Sequence, residues 1–251
     1  DYIDENDYFM LVYGDIMFSG NMFSSLLNSF NSLRRPVAAV SLTGDSSDFG
    51  VIYMDSEMKI TQIIEKPKQR KLGNYVLAGA FILPGSMMPI LESHQGNMIE
   101  AITSQLEALP LYASIWEDDW IDIAYPWSIL SANQLLMKSW RNSIHASSIV
   151  IEPGVNITGP VIIEDNVIVK AGANILGPCY IGRDSFIGHN ALLRECTSIG
   201  AGSIIGFGVE VKNSVIMPGS EIGRLSFIGD SVVGENVEVG SATIMVNVKM
   251  D

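Results

Sequence analysis

The chain has 251 residues, of which 47% are hydrophobic and 17% charged, as expected of a well-packed protein with one large or two ordinary domains. Its formal net charge of −13 argues against a nucleic-acid partner, because a protein that neutralises phosphates needs a basic face. No apolar stretch approaches the roughly 20 residues of a membrane span, and no signal peptide is visible, so we expect no membrane insertion. The two cysteines exclude a disulfide scaffold and favour the reducing cytoplasm.

Residues 1–142 are predicted to form an α/β domain, because strand and helix patterns alternate along them. The apolar run 9–13 predicts a strand buried on both faces of a mostly parallel sheet. We expect the other strands at 37–42, 50–54, 60–64, 75–82, 113–116 and 120–123. Helices are predicted at 22–33, at 98–109, and from Pro126 to about Asn142, the last with an apolar stripe of Ile129, Ala132, Leu136 and Trp140.

Residues 143–251 follow a different rule, in which an aliphatic residue recurs every six positions. The series is Ile151, Ile157, Ile163, Val169, Ile175, Ile181, Ile187, Leu193, Ile199, Ile205 and Val211, and it slips by one residue before Ile216 and again before Val233. A small or β-branched residue follows each member by four positions, from Val155 to Val215. A parallel β-helix requires this period, because three six-residue strands close one coil and each aliphatic residue points inwards.

Two carboxylates follow or end predicted strands of the first domain. Asp15 comes directly after Gly14 and the first strand, at the edge of an α/β sheet where ligands bind. Asp122 lies in a strand just before the last helix. The alternatives are that Asp15 caps a turn and that Asp122 caps the helix.

Three further positions could serve a ligand site. Gly50, after Asp48 and Phe49, would allow close approach of the backbone to a ligand, or would only make a turn. Glu65 and Lys66 end a predicted hairpin, where a charged pair is usually solvated.

Taken together, these motifs resemble the sugar-1-phosphate nucleotidyltransferases, and in particular archaeal members that join the catalytic domain to a left-handed β-helix. The motifs are Tyr13-Gly14-Asp15, Asp48-Phe49-Gly50, Glu65-Lys66-Pro67, a strand carrying Gly79, and Trp120-Ile121-Asp122 with Pro126-Trp127. The resemblance covers essentially the whole chain. It implies an incomplete α/β Rossmann-like nucleotidyltransferase domain at 1–142, followed by a left-handed parallel β-helix of hexapeptide repeats at 143–251.

The resemblance also implies a reaction, in which a nucleoside triphosphate and a sugar 1-phosphate give pyrophosphate and a UDP- or dTDP-sugar. Asp15 and Asp122 would hold a catalytic Mg²⁺, and Lys66 would meet the sugar phosphate. The substrate-binding positions would be Gly14, Gly50, Glu65 and Gly79. We expect a cytoplasmic enzyme that forms a homotrimer through the β-helix.

The chain departs from the family pattern at its start. Family members begin with a glycine-rich G-x-G-T-R loop that cradles the triphosphate, and this sequence contains none. We therefore expect an N-terminal part to be missing, and we expect residues 1–251 not to turn over by themselves.

Two other functions compete with nucleotidyl transfer. Some relatives acetylate an amino-sugar phosphate with a histidine before a Leu-Ser/Thr-Tyr run, but Arg224 stands at that position here and arginine cannot act as a base. His189 could replace it, although its repeat position predicts an outward-facing corner residue. The other alternative is a non-catalytic regulatory or scaffolding subunit.

Overall fold

A computed structural model describes residues 3–43, 49–65 and 75–245. Contacts between Cα atoms divide the chain into two compact units, Asp1–Asp122 and Ile123–Asp251. The division at 142/143 that the sequence suggests stays a prediction. No helix among the described residues is long and apolar enough to cross a membrane.

The first unit alternates strands and helices as its sequence predicts. Its elements are β1 (Tyr8–Val12), β2 (Ile16–Phe18), α1 (Met22–Leu33), β3 (Val37–Leu42), β4 (Gly50–Met54), β5 (Ile60–Glu65), β6 (Tyr75–Pro84), a 3₁₀ turn (Gly85–Met87), α2 (Met88–Ser93), α3 (Met98–Gln105), β7 (Tyr112–Trp116) and β8 (Trp120–Asp122). The sequence did not predict β2, the 3₁₀ turn or α2, and α3 ends four residues earlier than expected.

The main sheet has the strand order β5-β4-β6-β3-β7, with β1 paired to the other half of the long strand β6. In the part of this sheet that the structure describes, only β3 and β7 pair in parallel, whereas β6 runs antiparallel to β1, β3 and β4. The prediction of a mostly parallel sheet was therefore wrong. The strands β1, β3 and β4 all run in one direction, and β6 runs between them in the opposite direction. The prediction that β1 is buried on both faces was also wrong, since among residues 3–43, 49–65 and 75–245 it pairs with β6 alone and its Val12 is 39% exposed.

Two apolar layers cover the sheet. Alternate residues of β3 point to opposite faces, as the pleat requires. Val37 and Ala39 pack with Met22 and Leu26 of α1. On the other face, Ala38 and Val40 pack with residues of α3.

The second unit begins with α4 (Ser128–Lys138), which starts two residues after Pro126 and ends well before Asn142. Its buried residues are Ala132 and Met137, and Leu136 is 55% exposed, so the predicted stripe was only partly right. Asn133 fixes the helix to the β-helix, because its side chain donates to the Cys196 carbonyl and accepts from the Ser198 hydroxyl at 2.7 Å.

The rest of the second unit is a left-handed parallel β-helix of about 6 turns. Its strands are β9 (Ile144–His145), β10 (Val150–Ile151), β11 (Asn156–Thr158), β12 (Val161–Ile163), β13 (Ile168–Val169), β14 (Asn174–Leu176), β15 (Cys179–Ile181), β16 (Phe186–Ile187), β17 (Leu192–Arg194), β18 (Thr197–Ile199), β19 (Ile204–Ile205), β20 (Glu210–Lys212), β21 (Val215–Ile216), β22 (Glu221–Ile222), β23 (Phe227–Gly229), β24 (Val232–Val233), β25 (Glu238–Val239) and β26 (Ile244–Met245). They form three parallel sheets, one on each face of the coil.

The six-residue series fills the interior from Ile163 to Val239, as predicted. Ile151 is an exception at 39% exposure, because no earlier coil covers it. Cys179 is a small core residue, as its slot suggested, and neither cysteine forms a disulfide.

The coils become one residue shorter where the period slips. Ile187 pairs with Ile205, 18 residues on, but Ile205 pairs with Ile222, 17 residues on. Ser214, not the predicted Val215, therefore takes the inner slot.

Buried serines occupy this slot in the shortened coils. The hydroxyl of Ser220 donates to the Gly234 carbonyl at 2.7 Å and accepts from the Val237 amide at 3.2 Å. In the same way, the hydroxyl of Ser226 donates to the Gly240 carbonyl and accepts from the Thr243 amide.

Candidate functional site

A cavity of ≈ 170 Å³ in the first unit contains most of the site residues that the sequence suggested. Its walls are formed by Tyr13, Asp15, Ile16, Phe49, Gly50, Glu65, Leu77, Gly79, Ile99, Trp120 and Asp122. The sequence predicted no role in the site for the apolar lining residues, which are Ile16, Phe49, Leu77, Ile99 and Trp120. Trp120 was the one that could have been suspected, because it stands two residues before Asp122.

The two aspartates reach the cavity through a short antiparallel ribbon of β2 and β8. Ile16 pairs with Asp122, and Phe18 pairs with Trp120. Residues directly opposite each other in such a ladder have Cα atoms about 5 Å apart, so the backbone of Asp15, next to Ile16, lies near that of Asp122, and both side chains line the cavity. The ribbon thus joins two carboxylates that are more than a hundred residues apart in the sequence.

The structure supports neither of the capping alternatives. Asp122 belongs to β8, and α4 begins at Ser128 without a side-chain cap. The Asp15 carboxylate accepts no hydrogen bond from any part of the chain that the structure describes, so no turn cap accounts for it.

Gly79 has a conformation that suits only glycine. Its φ is +76°, and a Cβ atom at this position would lie 2.9 Å from Ile16 Cγ2 and 3.0 Å from Tyr13 Cδ2. Here β6 bulges, since the register with β3 shifts between Ala38 and Val40. Gly79 is therefore required by the packing of Tyr13 and Ile16 as well as being part of the cavity wall.

Tyr13 lies among the carboxylates of the site. Its burial, followed by the charges of Glu65, Asp15 and Asp122, raises the pKa of its hydroxyl to about 12. The hydroxyl therefore stays protonated at neutral pH and can donate a hydrogen bond to an acceptor in the cavity.

Of the two other predicted glycines, Gly50 lines the cavity and Gly14 does not. Gly50 pairs with Glu65 across the β4–β5 hairpin, and a Cβ atom at Gly50 would lie 3.1 Å from Glu65 Oε2. The absence of a side chain at position 50 thus leaves room for the Glu65 carboxylate. Gly14 is not part of the cavity wall, and a Cβ atom there would meet nothing within 4 Å.

Two residues of the predicted motifs, Asp48 and Lys66, lie outside the described residues. Among the described residues that line the cavity there is no lysine or arginine. Likewise, residues 3–43, 49–65 and 75–245 contain no group of three or more His, Cys, Asp or Glu that could hold a metal ion. Two aspartates nevertheless fit Mg²⁺, which proteins usually bind through one or two carboxylates, with substrate phosphates and waters as the remaining ligands.

In the second unit, the candidates for acyl transfer are corner residues. His189 is exposed, as its repeat position predicts, and its Nδ1 lies 3.3 Å from the Ala171 carbonyl oxygen. Arg224 stands at the equivalent corner two coils later, because Ile187, Ile205 and Ile222 are in register.

Comparison with known proteins identifies the family. A family model described as Nucleotidyl transferase matches residues 1–139. The chain belongs to the nucleotidyl transferase family. A second model, described as the GMPPB C-terminal domain, matches residues 175–249.

Relatives of this nucleotidyl transferase chain match it almost from end to end. It is 36% identical to "Bifunctional protein GlmU" of Methanococcus vannielii over 97% of the chain and 59% of that protein. It is 33% identical to "Bifunctional sugar-1-phosphate nucleotidylyltransferase/acetyltransferase" of Sulfurisphaera tokodaii over 98% of the chain and 61% of that protein. The chain therefore spans about three fifths of the length of these relatives. A structure titled as a putative glucose-1-phosphate thymidylyltransferase of Bacillus anthracis matches 52% of the chain and 55% of its own length, with a TM-score of 0.46 and 23% identity.

Proposed function

We propose that the protein forms a nucleotide sugar, a UDP- or dTDP-sugar, and pyrophosphate from a nucleoside triphosphate and a sugar 1-phosphate. The observation that carries the proposal is the convergence of Asp15, Asp122 and Glu65 on one cavity through the β2–β8 ribbon and the β4–β5 hairpin. A regulatory or scaffolding subunit would have no need of this set. The relatives' names point to the same chemistry.

In this reaction the protein mainly binds the two substrates and aligns their phosphates. The attacking group is already a phosphate anion, so no general base is needed, and the obstacle is repulsion between that anion and the triphosphate. Glu65 accepts hydrogen bonds from sugar hydroxyls, and the tilted rings of Phe49 and Trp120, 5.2 Å apart, form an apolar wall for the sugar. Lys66, next to Glu65, supplies a point charge to the sugar phosphate.

Asp15 and Asp122 would hold Mg²⁺ in this proposal. When bound, the ion neutralises phosphate charge and fixes the position of the phosphates. The carboxylates bring two negative charges to a cavity whose described walls contain no lysine or arginine, so without a cation they would repel both substrates.

The reaction can be tested directly with the full-length protein. We expect pyrophosphate release when it is mixed with Mg²⁺, UTP or dTTP, and glucose 1-phosphate or N-acetylglucosamine 1-phosphate, and we expect EDTA to stop it. A matched reaction without the sugar phosphate controls for hydrolysis of the triphosphate. No pyrophosphate from any pair of substrates would refute the proposal.

We further propose a cytoplasmic homotrimer that assembles through one face of the β-helix. On the face of β10, β13, β16 and β19, the outward residues Val150, Ile168, Phe186 and Ile204 are in register on successive coils. Val150 is 54% exposed and Ile204 41%, and contiguous apolar patches of this kind usually mark an interface.

Light scattering after size exclusion tests this assembly. We expect the native mass to be three times that of one chain and Ile204→Glu to dissociate it, because a charge would then be buried in the interface. Ile244→Glu, on a different face, is the control and should keep the native mass. A monomeric native protein would refute the assembly and leave the proposed reaction untouched.

A further inference from the structure

At its bulge, β6 presents two neighbouring carbonyl groups, and each accepts a hydrogen bond from a segment that carries one of the two aspartates. The Gly79 carbonyl accepts from the Tyr13 amide at 2.8 Å, two residues before Asp15. The Ala78 carbonyl accepts from the Trp120 indole Nε1–H at 3.0 Å, two residues before Asp122. One irregularity of the backbone is thus the common anchor of both carboxylates.

The segment that carries Asp122 needs such an anchor. β8 has only three residues, and among the described residues it pairs only with β2, itself three residues long. A two-stranded ribbon of this length is unstable in isolation. The Asp119 carbonyl, just before β8, is held by the Ser19 amide at 3.0 Å, and at the other end of the ribbon Asp122 pairs with Ile16.

Trp120 supplies a contact of this kind. Its indole is half-buried in the cavity wall, where the ring packs against Phe49, and its N–H is directed at the Ala78 carbonyl. The hydrogen bond fixes the ring relative to β6, and the Phe49 contact fixes it relative to the start of β4. Because the side chain is rigid, they also fix the backbone of β8.

We propose that Trp120 is a positioning residue: its indole, bound to the Ala78 carbonyl beside the bulge, holds Asp122 at the correct distance from Asp15 to share a metal ion. This inference rests on the proposed function. It predicts that losing one N–H group weakens metal binding without removing either carboxylate.

The test compares two tryptophan variants of the full-length protein. Trp120→Phe removes the indole N–H and keeps an aromatic ring beside Phe49. Trp116→Phe is the matched control, because the Trp116 indole also donates to a backbone carbonyl, that of Asp119 at 3.4 Å, yet Trp116 does not line the cavity. Mn²⁺, which replaces Mg²⁺ and has an electron paramagnetic resonance signal, serves as the metal probe.

We expect Trp120→Phe to raise the Kd for Mn²⁺ about tenfold, the lower end of the effect of groups that orient metal ligands. We also expect faster hydrogen exchange of the β8 amides in the absence of metal. Trp116→Phe should change neither quantity. Equal Mn²⁺ affinity in native protein and Trp120→Phe would overturn the inference.

A second measurement needs no variant. In native protein, the hydrogen-bonded indole proton of Trp120 should exchange with solvent far more slowly than that of Trp127, which is 64% exposed. Equal exchange rates would overturn the inference even if Trp120→Phe failed to fold. An Asp15→Asn variant separates the two proposals. If Asp15→Asn leaves the Mn²⁺ affinity unchanged, the proposed metal site itself is wrong. If Asp15→Asn weakens Mn²⁺ binding and Trp120→Phe does not, the role of Trp120 is wrong and the proposed reaction stands.

Discussion

Replacing Asp122 with asparagine is expected to lower pyrophosphate release by the full-length protein about a thousandfold, or about 4 kcal/mol in activation free energy. Asparagine keeps the size of the side chain and its place in β8, but it removes one of the two charges proposed to hold Mg²⁺. Rates measured at saturating substrate with increasing Mg²⁺ would show the loss, and Asp15→Asn should behave alike. Partial recovery at high Mg²⁺ would locate the defect in metal binding.

Asp118→Asn is the control for this experiment. Asp118 is exposed and lies four residues before Asp122, but it does not line the cavity. The same chemical change there should leave the rate near that of native protein. A native rate in both Asp15→Asn and Asp122→Asn would remove the basis of the proposed function.

Gly79→Ala is expected to destabilise the first unit by about 3 kcal/mol. An alanine at φ +76° costs about 1–2 kcal/mol, and forcing a methyl group against Ile16 and Tyr13 adds about 1–3 kcal/mol of overpacking. Denaturant unfolding followed by circular dichroism would measure the loss. Because the second unit has its own core, its transition should not move.

Gly14→Ala is the matched control for stability. Gly14 does not have a left-handed φ, and an added Cβ atom meets no other group within 4 Å. We expect its free energy of unfolding to stay within about 0.5 kcal/mol of the native value, as for most surface substitutions. If the two alanine variants were equally stable, the bulge at Gly79 would not depend on glycine.

The site was predictable from its motifs, but its assembly was not. Asp15, Glu65 and Asp122 were singled out by their places next to predicted strands and by the family resemblance, and all three line one cavity. The ribbon that joins the aspartates was missed, because the sequence Ile16–Phe18 is too short to show a period and its partner is about a hundred residues away. Pairing over such a distance leaves no local pattern.

The β-helix was more predictable because each coil repeats the environment of the one before it. A residue that points inwards in one coil does so again in the next, so the pattern accumulates over many coils. The inner slot was misplaced, at Val215 instead of Ser214, where the coil shortens and the count of six no longer applies. In the first unit, β1 was misjudged because an apolar run does not show that both faces of a strand are covered, and within the described residues β1 pairs with β6 alone.

The buried serines of the shortened coils show how a solenoid can lose a residue without unwinding. A deletion within one coil should leave an amide and a carbonyl of the backbone without partners, at a cost of about 1–3 kcal/mol each. The hydroxyls of Ser220 and Ser226 bond to both kinds of group. The three sheets therefore continue unbroken through the shortened coils, with a serine hydroxyl completing the backbone hydrogen bonding where a residue is absent.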